Sequence, residues 1–175
     1  MSHCPFTAKE RRCRLSAVLA LLLILVAAGP ALASENQFES PPIPETIAGM
    51  ELIELVDGEE AAAIIDRMHR GNVATRANFI ARYQGQTGTA TYYVSLYDDP
   101  LLAVGDMEEM AWIMGREGHG FSHLMRRSKA ETPFYMALGQ GQAHYFFARD
   151  LELIWLAADL SIAEQALEEI LLTGN

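Results

Sequence analysis

Residues 76–97, RANFIARYQGQTGTATYYVSLY, decide the fold. Ala77, Phe79, Ala81 and Tyr83 alternate with Arg76, Asn78 and Arg82. After Gln84-Gly85-Gln86-Thr87-Gly88, a second set, Ala90, Tyr92, Val94 and Leu96, alternates with Thr89, Thr91, Tyr93 and Ser95. Successive side chains of a strand point to opposite faces, so this period of two predicts a β-hairpin with one buried and one wet face. A strand in a doubly covered parallel sheet would be apolar throughout, which makes the expected sheet antiparallel.

Working outward, Asp99-Pro100 starts a helix, with Asp as N-cap and Pro at the first helical position, where a missing N–H costs nothing. Leu101, Val104, Met107, Met110, Ala111 and Met114 repeat at helical spacing, and Gly115 ends the run. Methionine at this spacing reads as core filling, with a soft binding face or a copper site as the alternatives. Upstream, Met50 to Val56 is a strand, and the capping box Asp57/Glu60 opens a helix with Ala61, Ile64, Ile65 and Met68 on one side, closed by His69-Arg70-Gly71. Downstream come strands at 121–127, 133–138, 142–148 and 152–157, with turns at Gly139-Gln140-Gly141 and Asp150-Leu151. Asp159 and Ser161 introduce a last helix, with Ser161/Glu164 as a second capping box and Ile162, Ala163, Ala166, Leu167, Ile170 and Leu171 as its stripe.

The order β-α-β-β-α-β-β-β-β-α predicts an α+β fold, a two-layer sandwich of a mostly antiparallel sheet with helices on one face. Leu96, Asp99, Ala103 and Met107 match Leu156, Asp159, Ala163 and Leu167 at an offset of 60, which suggests a duplicated strand–strand–helix unit, although any two capped amphipathic helices look alike. A true duplication places both helices on the same sheet face. The expected core is Phe79, Tyr92, Val94, Leu96, Val104, Met107, Ile154, Leu156, Leu167 and Ile170.

The first 33 residues stand apart. Lys9, Arg11, Arg12 and Arg14 precede the apolar run Ala17 to Ala28, and Gly29-Pro30-Ala31-Leu32-Ala33 follows. This order predicts a Sec-type signal peptide over 1–33, cleaved before Ser34, and an extracytoplasmic protein in the periplasm or medium. The alternative is an uncleaved anchor, but about 20 apolar residues are needed to span hydrocarbon and this run is shorter. Residues 34–48, with Pro41, Pro42 and Pro44, read as an extended acidic lead-in, and 49–175 as a single domain. Both cysteines, Cys4 and Cys13, leave with the signal, so the mature chain folds without a disulfide. The four cations and Glu10 leave too, which takes the net charge from −10 to −13. Such a surface repels phosphate backbones, so nucleic acid is not expected; the bland explanation is solubility, the sharper one a basic protein partner or a small ligand.

Chemistry is sparse. His119 and His123 lie four apart and share a face with Met125 on a strand, an arrangement that suits zinc or copper. Gln140, Gln142 and His144 share a face beside aromatics and suit a small pocket, because buried strands seldom alternate unpartnered amides and imidazoles. Ser95, Ser122, Ser128 and Ser161 lack the nucleophile elbow, and no phosphate loop or dinucleotide fingerprint occurs. Glu108-Glu109 and Glu168-Glu169 are adjacent on helices and point about 100° apart, so they read as solvated faces. No catalytic residue is assigned.

Tyr92 to Ala103, an aromatic hairpin with an Asp-Pro helix start, and the Gly141-Gln142-Ala143-His144-Tyr145-Phe146-Phe147 strand resemble uncharacterised families of secreted bacterial proteins. The resemblance implies a bacterial, extracytoplasmic protein and transfers no site residue. The expectation is a non-enzymatic binding or accessory protein, with a metal- or small-ligand-binding protein using His119, His123 and His144 second and a hydrolase third.

Overall fold

The computed structural model describes residues 43–69, 75–116 and 120–173. The stretch read as a signal peptide, the expected lead-in as far as residue 42, the expected Arg70-Gly71 helix end and His119 lie outside the described residues. In chain order the elements are β1 (Thr46–Ile47), β2 (Met50–Asp57), α1 (Gly58–His69), β3 (Ala77–Gly85), β4 (Gly88–Leu96), α2 (Pro100–Met114), β5 (Phe121–Lys129), β6 (Thr132–Gly139), β7 (Gln142–Arg149), β8 (Glu152–Asp159) and α3 (Ala163–Leu172). The fold is α+β. Eight antiparallel strands form one curled, half-barrel-like sheet in the order β1-β2-β3-β4-β8-β7-β6-β5.

Cross-strand partners define two faces, because residues opposite each other share a side of the pleat. On the first face a row runs Leu55, Ala81, Tyr92, Leu156, Tyr145, Met136 and Met125 from β2 across to β5. On the second face the row is Val56, Ile80, Tyr93, Trp155, Phe146, Tyr135 and Arg126. The first face receives α3: the Arg149 guanidinium of β7 donates to Ile170 O at 3.3 Å, and Lys129 of β5 pairs with Glu168. The second face receives the other two helices. Ala61 and Ile65 of α1 pack on Val56 and Ile80, and Glu108 of α2 accepts from the Tyr135 hydroxyl at 2.6 Å.

Three expectations are corrected here. Helices cover both faces of the sheet, so it is not a two-layer sandwich with helices on one side, and β1 adds a strand to the expected order. The expected wet face of the hairpin is exposed at Arg82 and Thr89 but covered at its other end, where Asn78 and Ser95 are buried and Ser95 Oγ donates to Asn78 Oδ1 at 2.8 Å. Polar groups that satisfy each other across a strand pair look, in sequence, the same as groups facing water. Finally, α2 and α3 pack on opposite faces, which removes the geometric support for a duplicated unit.

The helix starts differ in kind. At α2 the Asp99 carboxylate accepts from Leu101 N at 2.8 Å, ahead of Pro100, and Gly115 forms the C-cap. At α3 the expected capping box is absent, because Ser161 Oγ instead donates to Thr87 O in the β3–β4 turn and Ile162 caps without a side-chain bond. Val104, expected in the core, is 42% exposed, while Met107, Met110, Ala111 and Met114 are buried. The other nine expected core residues are buried. At the end of the stretch read as lead-in, Ile47 is buried, Leu52 N donates to Glu45 O at 3.0 Å, and the Tyr83 hydroxyl donates to Pro44 O at 2.8 Å.

Candidate functional site: a cleft on the second face

The helices α1 and α2 leave a cleft over the second face of the sheet, in two adjoining lobes of about 290 and 400 Å³. Both volumes fall in or near the range of small-molecule sites. Met68, Phe121 and Trp155 border both lobes. The first lobe is floored by the strands: Thr91 and Tyr93 of β4, His144 of β7, Trp155 and Ala157 of β8, with Gln140 and Gln142 at one side. The second lobe is walled by helices, with His69 at the end of α1, Met110, Ile113 and Met114 on α2, and Arg116 just beyond it.

The structure thus brings Gln140, Gln142 and His144 together on a concave surface. Gln140 sits in the β6–β7 turn with φ of 53°, and Gln142 begins β7. The Gln142 amide donates to Asp159 Oδ1 at 3.1 Å, and Asp159 Oδ2 accepts from Thr89 N at 2.8 Å. These bonds, the Gln142 one foremost, hold the Asp159 carboxyl below the ordinary carboxylate range.

His144 is 4% exposed and has both ring nitrogens engaged. Its Nε2 lies 3.0 Å from Gly139 O and its Nδ1 accepts from Trp155 Nε1–H at 3.1 Å. Only the tautomer with hydrogen on Nε2 satisfies both contacts. Burial lowers its pKa, opposed in part by the Gly139 carbonyl. In this arrangement neither nitrogen is left for a metal or for abstracting a proton. His144 acts as a pillar that fixes the Trp155 indole, whose ring meets those of Tyr93, Phe121 and Phe146 at 6.0–6.3 Å between centroids.

His123 is elsewhere: it is exposed, at an irregularity in the β5–β6 pairing with φ of 56°, and contacts Ser122 Oγ at 3.0 Å. Among the described residues no group of three or more His, Cys, Asp or Glu is placed to hold a metal. Glu108, a member of one candidate carboxylate pair, is engaged by Tyr135 and Arg126.

Sequence reasoning missed Trp155, Tyr93, Phe121, Met68 and Arg116. A signal existed in Tyr93, on the side of its strand assigned to solvent. Large aromatics there mark a covered or ligand-bearing surface. Gly139 belongs to the site as well: a Cβ at this position would come within 2.5 Å of Phe121 Cδ1, so only glycine lets that ring lie against the strand.

No helix among the described residues is long and apolar enough to cross a membrane. No family model matches the chain, and neither a curated protein nor a solved structure matches it.

Proposed function

We propose that this chain is an extracytoplasmic, non-enzymatic binding protein whose second-face cleft takes a small, largely apolar ligand. The observation that carries this is the lining. Rings of Trp155, Phe121 and Tyr93 and thioethers of Met68, Met110 and Met114 face a cavity, with the Gln140 and Gln142 side chains at one side. The second lobe is the more apolar and the first is about evenly polar and apolar, and an apolar concavity with converging polar groups is the usual form of a small-molecule site. Methionines add a surface that adapts to shape, which suits a binding wall better than a catalytic one. The secretory expectation accords with this reading: the mature chain would start at Ser34, and N-terminal sequencing of exported protein tests that start.

The binding test uses N-phenyl-1-naphthylamine, an apolar probe that brightens when it leaves water. Trp112 is 62% exposed and lines neither lobe, so Trp112→Phe leaves Trp155 as the only tryptophan. The expected result is a saturable rise in probe emission accompanied by a matching change in Trp155 emission. Saturable binding that leaves Trp155 unchanged, or no saturable binding, would refute the cleft as the site.

A further inference from the structure

We infer that the ligand of this cleft is an amphipathic anion, with its apolar body against Trp155 and the methionines and its negative head beside Arg116. This inference rests on the binding function proposed above and names the ligand class.

The charge pattern points there. The full chain carries 23 acidic against 13 basic residues, yet among the described residues lining either lobe there is no Asp or Glu. The charged or titratable groups on the helical wall are Arg116 and His69. Among the described lining residues, then, no carboxylate adds to the repulsion an anion meets elsewhere on this acidic protein.

A structural use for both groups has to be weighed, since His69 is the last residue of α1 and Arg116 lies just beyond α2, where donors to the final carbonyls are favourable. His69 shows that use: its Nδ1 lies 2.9 Å from Ile65 O of its own helix. Arg116 does not. Its guanidinium carbon lies 4.5 Å from the centroid of the Trp112 ring, and no carboxylate among the described residues pairs with it. Stacking on an indole holds the planar fork in place while leaving its N–H donors available, the pre-organised form in which arginine meets a carboxylate. The apolar wall of Met110, Ile113 and Met114 leads to this residue from within the second lobe. A ligand with a greasy body and an anionic end fits that gradient, whereas a neutral one leaves Arg116 unused and a cationic one meets it head-on.

Displacement of N-phenyl-1-naphthylamine by decanoate, 1-decanol and decyltrimethylammonium separates the classes. Wild type is expected to favour decanoate by about tenfold over 1-decanol, the equivalent of one charged hydrogen bond, with the ammonium weakest. Arg116→Gln should abolish that preference and leave 1-decanol binding unchanged, while Arg116→Lys should keep part of it. A far-UV melt of each variant checks that the fold is intact. Equal affinity for decanoate and 1-decanol in wild type, or equal losses for both in Arg116→Gln, would overturn the anion while leaving the cleft itself standing. If the probe does not bind at all, the proposed function fails and the inference falls with it.

Discussion

The His144 imidazole sits between a carbonyl it donates to and an indole N–H it accepts from, so a second proton has no place to go. Protonation would set Nδ1–H against Trp155 Nε1–H, in a site where burial already lowers the pKa below 6.5. The unfolded chain keeps a pKa near that ordinary value. It therefore binds more protons than the folded chain in the window just below it, and stability is lost as pH falls from 6.5 toward the folded value. The denaturant midpoint should drop across that window, and His144→Gln should flatten the drop while lowering the midpoint throughout. An NMR titration placing His144 at or above its ordinary pKa would contradict this. Gly139→Ala is the second change at this scale. It should displace the Phe121 ring and weaken probe binding more than it weakens the fold, read as a probe dissociation constant beside a melting curve. That Gln140, Gln142 and His144 share a face was legible from the strand period, whereas the burial of His144 with both nitrogens partnered was not. Nor was Trp155, since nothing in the alternation says which rings a covering helix will leave open.

Among the elements, α3 is held to the first face by a hydrogen bond from Arg149, itself in a partly buried ion pair between β7 and β8, as well as by its apolar stripe. Arg149 donates to Glu152 at 2.9 Å and to Ile170 O, with both ionic side chains under 20% exposed. Arg149→Met should cost about 2 kcal/mol, since it leaves Glu152 and a helix carbonyl without their charged donor. Faster amide exchange confined to α3 would distinguish this from global weakening. The α2 start was readable because Asp-Pro acts through its own backbone and side chain, with no outside partner needed. The α3 start misled because Ser161 found a better partner at Thr87, 74 residues away in sequence. Local motifs are legible when the bonds that decide them are local, and the outward-facing Val104 fails for the opposite reason: an almost wholly apolar helix does not declare which side is in.

At the scale of the whole molecule, stability rests on the core, because no cysteine follows residue 13. Leu156 is fully buried between Tyr92 and Tyr145 on the first face, and Leu156→Ala should cost about 2–5 kcal/mol by denaturant midpoint. That is a large share of the roughly 5–15 kcal/mol a typical domain has. An unchanged midpoint would mean that the first face is not the core. Antiparallel pairing was legible in the 76–97 alternation, but the assignment of helices to faces was not, since it depends on contacts between distant segments. That assignment has a practical consequence. The helix that secures the fold and the two that border the cleft stand on opposite sides of one sheet. The apolar helix residues of the wall that are not part of the buried core, Met68 and Ile113, can therefore be randomised as a library without touching the first-face row. Selection on such a library would report ligand preference nearly free of selection for folding, which makes the chain a natural starting scaffold for made-to-order receptors.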